Sequence, residues 1–156
     1  MEKHTYDLDE LVKVCLLAQN AKLDGVNILD KYKLSEIQDM ANGIGSQSMP
    51  KWLRELVSVI NPALEPVALI HDIEWSQDEK SKENFKETNQ RFRKNGYIMA
   101  KHNYGWYDPR RYRVMMQATR FAKICQLFGW KAYLSGKSGK LEDYSCDEAE
   151  VNNEKI

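Results

Sequence analysis

The sequence predicts a mainly α-helical domain, and three observations predict it. Apolar residues recur at spacings of three and four through most of the chain. Helix-start residues precede those runs, an Asp or Ser before the first turn or a Pro inside it, and Gly or Asn-Gly follows them. Alternation of apolar and polar residues is confined to Lys131-Ala132-Tyr133-Leu134, the one place where a strand is conceivable. Residues 1–140 read as a single domain. Residues 141–156 carry Glu142, Asp143, Asp147, Glu148, Glu150 and Glu154 against Lys155, and read as an acidic, disordered tail.

Taken in order, Asp7 is placed to cap a helix over residues 8–22, with Leu8, Leu11, Val12, Cys15 and Leu16 as its apolar face and Asp24-Gly25 as its end. Ser35-Glu36-Ile37-Gln38 has the pattern of a capping box opening a short helix, which Asn42-Gly43-Ile44-Gly45-Ser46 stops. Met49-Pro50 opens a helix over about 50–60 on Trp52, Leu53, Leu56, Val57 and Ile60, broken by Asn61-Pro62. Pro66 suits the first turn of the next helix, which places Ala68, His71 and Trp75 on one strip with Val67 and Asp72 beside it.

Asp78 is the expected cap of a helix over 79–95 that stops at Asn95-Gly96. Phe85 and Phe92, seven apart, define its inward stripe, and Thr88 and Asn89 fall between them on that stripe. An inward amide needs a partner, either local backbone or a polar group across the interior, and His71 is the candidate there. Lys101–Tyr107 reads as an aromatic loop. Asp108-Pro109 starts the longest helix, with Tyr112, Met115, Met116, Thr119, Ala122 and Cys125 inward and Phe128-Gly129 at its end.

Composition removes several function classes. Lys+Arg and Asp+Glu are equal at 23 each, so global charge gives no argument for a nucleic-acid partner. Residues 101–140 are locally basic, with Asp108 their only acid, and read mostly as a solvated helix face, with a head-group surface as the second reading. Cys15, Cys125 and Cys146 are widely spaced without a CxxC, so neither a disulfide framework nor a zinc site is indicated. Charged residues interrupt the N-terminus where a signal peptide would be apolar, and no apolar run is long enough to span a bilayer.

The stretch with chemistry in it is Val67-Ala68-Leu69-Ile70-His71-Asp72-Ile73-Glu74-Trp75, an apolar approach to an adjacent imidazole and carboxylate. Gly43-x-Gly45, then Val67-Ala68-x-x-His71-Asp72-x-x-Trp75, then Asn89-x-x-Phe92 resembles the core of the phospholipase A2 superfamily, nearest its disulfide-poor forms in viral, phage and small bacterial proteins. The resemblance covers about residues 41–92. It implies a phospholipase A2-like helical domain in which a central pair of packed helices carries the His-Asp site.

It also implies a Ca²⁺-dependent lipid esterase acting on phospholipid or a membrane surface. His71 would be the general base, and Asp72 would hold Ca²⁺ with backbone carbonyls of Gly43, Gly45 and Ala41. Trp75 would stand where the family has a tyrosine, and an indole donates one hydrogen bond but accepts none. Asn89 takes the place of the family's second aspartate, and an amide orients an imidazole without supporting its positive charge. A cytoplasmic or virion-associated location goes with that reading.

Two other readings are open at this point. The chain could keep the scaffold without catalysis, as a structural or accessory protein of a phage or mobile element with a protein partner and His71-Asp72 as a buried polar pair. It could instead be an HD-type metal phosphohydrolase, which needs a further upstream histidine, and only His4 is available.

Overall fold

The computed structural model describes residues 6–43 and 60–134 of the chain. The expected helix over 50–60, Gly45 and the acidic tail lie outside the described residues. What is described is mainly helical, with no strand among the described residues. The helices are α1 (Leu8–Asn20), α2 (Leu34–Gly43), α3 (Glu65–Gln77), α4 (Lys82–Asn103), α5 (Pro109–Phe128) and the single-turn α6 (Trp130–Leu134). Short 3-10 turns at Val26–Lys31 and Pro62–Leu64 lead into α2 and α3.

Asp7 caps α1 through a full capping box, its Oδ1 accepting from Glu10 N at 2.8 Å while Glu10 reaches back to Asp7 N. The buried face is Leu11, Val14 and Ala18; of the expected face Leu11 is buried and Cys15 half-buried, while Leu8, Val12 and Leu16 are exposed. The helix carries two apolar stripes, and packing selects the one with Ala18, whose small side chain admits a close neighbour. α2 starts at Leu34, one residue before the expected cap, because Glu36 Oε2 accepts from Lys33 N at 2.7 Å.

Asp78 belongs to the end of α3, where its N–H donates to Glu74 O at 2.8 Å, and Ser81 caps α4 instead. α4 does not stop at Asn95-Gly96 but runs to Asn103. Tertiary contacts override the local stop signal there. A Cβ on Gly96 would lie 2.2 Å from the Cβ of Ala118, so only glycine lets α4 and α5 approach this closely. The Asn95 side chain both accepts from Asp24 N at 2.7 Å and donates to Asp24 O at 2.9 Å, clamping the turn after α1 onto α4.

Asp108-Pro109 starts α5 as its composition implies, Asp108 Oδ1 accepting from Arg110 N at 2.9 Å. The inward face is Val114, Ala118, Phe121, Ala122 and Cys125, while Tyr112 and Met116, expected inward, are exposed. Residues 131–134 form the turn of α6 rather than a strand: Trp130, Ala132, Tyr133 and Leu134 are all buried, which an alternating strand with one wet face does not allow.

α4 and α5 make the most extensive helix pair, α3 packs on α4, and α1 and α2 pack on α3. Both main pairs are antiparallel, since Asn89 meets Gln126 while Tyr97 meets Thr119, and Trp75 meets Thr88 while His71 meets Asn89. Trp75, Phe85, Trp130 and Tyr133 form an aromatic cluster at one end of this core, and Phe92 and Phe121 stack at 4.4 Å beside His71.

Candidate functional site

His71 sits mid-way along α3 and Asn89 in the first half of α4, and the antiparallel pairing brings them face to face. His71 is 4% exposed and Asn89 2%. Asn89 Oδ1 lies 2.9 Å from His71 Nε2. Asn89 Nδ2 donates to Gln126 Oε1 on α5 at 3.0 Å, which leaves the amide oxygen as the atom facing the imidazole. An oxygen can only accept, so Nε2 carries the proton and Nδ1 keeps its lone pair. Burial pushes the His71 imidazolium down to about 4, against the smaller upward pull of the Asn89 bond, so the ring is neutral near pH 7.

Aromatic rings hold the imidazole plane. Trp75, one turn along α3, lies 4.6 Å from it, Phe92 meets it edge-on at 5.3 Å, and Phe121 at 6.1 Å. The indole N–H of Trp75 donates to Thr88 Oγ1 at 3.1 Å, and Thr88 passes its own proton to Phe85 O at 3.0 Å. Trp75 thereby pins α3 to α4 one turn from the histidine.

Asp72 is only partly buried by the chain's surface, yet burial pushes its carboxyl up to about 7. No hydrogen bond or ion pair joins it to another described residue. Its field reaches two other acids: the Cys125 thiol is raised first by burial and then by Asp72, and the Tyr6 phenol by burial, then Glu65, then Asp72. A desolvated carboxylate with no cation beside it is short of positive charge.

Ala41 and Gly43 fall in the last turn of α2, which packs on α3. Carbonyls of a final helical turn have no donor within their own helix, and the negative end of the helix dipole lies there, so both favour a cation. Gly45 lies outside the described residues. Among the described residues no group of three or more His, Cys, Asp and Glu side chains converges as a metal-binding set. A hard-cation site built on one carboxylate and backbone oxygens is of a different kind.

Sequence reasoning missed three participants. Gln126 completes the His71–Asn89 chain, and nothing local marks it, because its partner is 37 residues away. Glu74, buried on α3, pairs with Arg91 of α4, which also reaches Asp24 at 3.3 Å, where Lys94 joins at the same distance. Burial pushes Glu74 up to about 7 against the pull of Arg91. A surface depression lined by Asp24, Glu87, Gln90, Arg91 and Lys94 contains none of the site residues. Lys80, also buried, places its Nζ on Trp75 O and over the Tyr133 ring, closing the aromatic end of the core.

Comparison of the chain with protein-family models, with curated proteins and with solved structures finds no match in any of the three. Among the described residues no helix is long and apolar enough to cross a membrane.

Proposed function

We propose that this protein is a Ca²⁺-dependent, phospholipase A2-like lipid esterase, with His71 as general base and Asp72 as the carboxylate ligand of the metal. One observation supports the reading above the others. Two antiparallel helices present a neutral imidazole whose Nε2–H is tied to Asn89 at 2.9 Å, so that Nδ1 keeps a lone pair for a water proton.

In this reading His71 Nδ1 takes a proton from water as the water adds to the ester carbonyl, and returns it to the alkoxide oxygen as the ester C–O bond breaks and the fatty acid leaves. Asn89 holds the ring in the required tautomer and Trp75 and Phe92 hold its plane. Asp72, with the carbonyls of Ala41 and Gly43 and with Gly45 as the further expected donor, would hold Ca²⁺. The donor chemistry fits, because Asp72 has no cation partner among the described residues and the last-turn carbonyls of α2 are oxygen donors of the kind a hard cation takes. When bound, the ion supplies polarisation of the carbonyl and support for the developing oxyanion.

A non-catalytic scaffold is the second reading, favoured by the near-complete burial of His71 and by the closure of its polar chain on Gln126. The two separate in fatty-acid release from phospholipid vesicles, measured with calcium and with a chelator for wild-type protein and for Asp72→Asn. Release that needs calcium and is lost in Asp72→Asn supports the esterase. Absence of release under all conditions supports the scaffold.

A further inference from the structure

The α4–α5 hairpin ends in a tip, residues 104–108, that carries Trp106 at 74% and Tyr107 at 77% exposure, and no other large apolar side chain among the described residues is as exposed. The exposure is built rather than incidental. Tyr112 Oη donates to Trp106 O at 2.8 Å, and Asp108 both caps α5 and holds Arg110 through paired bonds of 3.1 and 2.7 Å. A Cβ on Gly105 would lie 2.9 Å from the Tyr107 ring, so the glycine lets that ring fold back over the turn. The result is two amphipathic rings 5.9 Å apart on a convex end.

Cations surround them. Lys101 is exposed in the last turn of α4, and Arg110, Arg111 and Arg113 occupy the first turns of α5. Asp108, the only acid of residues 101–113, is taken up by the cap and by Arg110. Arg111 Nε is buried with no hydrogen-bond partner among the described residues. The tip therefore combines Trp and Tyr, the residues suited to a headgroup layer, with a local excess of positive charge.

We infer that this tip docks the protein on an anionic phospholipid surface, with Trp106 and Tyr107 in the headgroup layer and Lys101, Arg111 and Arg113 on lipid phosphates. Single-stranded nucleic acid also takes aromatic and basic residues together, but it needs rings that accept bases in stacks along a groove. Here the two rings stand at 89° to each other on a projecting end. The choice of lipid over an acidic protein surface rests on the lipid-esterase reading. Docking and hydrolysis are nevertheless separable, because the tip lies about 20 Å along α4 from Asn89.

The test is co-sedimentation of the full chain, in chelator, with vesicles of phosphatidylcholine alone and of phosphatidylcholine with phosphatidylglycerol. Binding is expected to the mixed vesicles only and to weaken as salt rises. Trp106→Ala with Tyr107→Ala should weaken it about tenfold or more. Lys101→Gln and Arg113→Gln should each cost roughly fivefold. All four side chains are exposed, so unchanged circular dichroism and Tm show that the fold is intact.

His71→Gln should bind as wild type does. Binding of the wild-type chain to the mixed vesicles without fatty-acid release in calcium leaves the dock standing and removes the esterase, whereas release without tip-dependent binding removes the dock alone. Equal binding to neutral vesicles, retained binding in the aromatic double variant, or preference for a single-stranded oligonucleotide overturns the inference.

Discussion

Asn89 Oδ1 lies 2.9 Å from His71 Nε2 across the α3–α4 interface, and the same amide donates to Gln126 of α5 at 3.0 Å. One side chain thus links three helices through the middle of the protein and sets which nitrogen of the imidazole carries the proton. An amide does this without charge, so an imidazolium formed at His71 has no counter-ion there.

Asn89→Asp supplies one. A carboxylate facing Nε2 raises the basicity of His71 and supports the charge that develops as it takes a proton. If His71 is the base, fatty-acid release should rise about tenfold or more. Gln126 can turn its amide to donate to the new carboxylate, so the hydrogen-bond chain survives. Unchanged release at unchanged Tm would mean that no positive charge forms on His71 during turnover.

Asp72 gives a pH signature. Its folded pKa of about 7 stands above its ordinary 3.8, so between those values the folded chain holds a proton that the unfolded chain has released. Its contribution is present below 3.8 and is lost as pH rises through 7. Asp72→Asn should therefore gain on wild type by up to about 1.4 kcal/mol per pH unit across that window in chelator. Calcium should cancel the gain, because the bound cation favours the ionised carboxylate. Denaturant melts at several pH values, with and without calcium, check both parts.

His71 has the opposite sign. Its folded pKa of about 4 lies below its ordinary 6.5, so it contributes stability that is present above 6.5 and lost as pH falls towards 4. Acid unfolding of wild type should consequently be steeper through that interval than that of His71→Gln, as read from circular dichroism against pH.

The α4 segment at Asn95-Gly96 should be intolerant of change. Gly96→Ala places a methyl where Ala118 already lies 2.2 Å away and should destabilise by about 1–3 kcal/mol. Asn95→Ala removes two bonds to the Asp24 backbone and leaves buried polar groups unpaired, at a cost of about 2–3 kcal/mol. Urea midpoints measure both. Midpoints at the wild-type value would mean that α4 does not hold the first part of the chain in this way.

Helix class, the Asp108-Pro109 start and the inward amide of Asn89 were legible in the sequence because each depends on residues within two turns of one another. Phe85 and Phe92 fix a stripe, and Thr88 and Asn89 must lie on it. The stop expected at Asn95-Gly96 failed for the converse reason. Its meaning is set by Asp24 and Ala118, which are distant in sequence. The faces of α1 and α5 were misjudged where apolar residues outnumber the positions a single face can bury, as Leu8, Val12, Tyr112 and Met116 show by being exposed. Gln126 and the Glu74–Arg91 pair carry no local signature at all, since each partner comes from another helix.

Fatty-acid release by His71→Gln, in calcium and on vesicles that the wild type hydrolyses, tests the central claim most directly. Glutamine can still donate a hydrogen bond to Asn89, so the helix pair keeps its polar link while the base is gone. The account predicts a loss of about a hundredfold or more in release, with the chain still folded and still sedimenting with anionic vesicles. Release at the wild-type rate from the folded variant would contradict it and take His71 out of the chemistry.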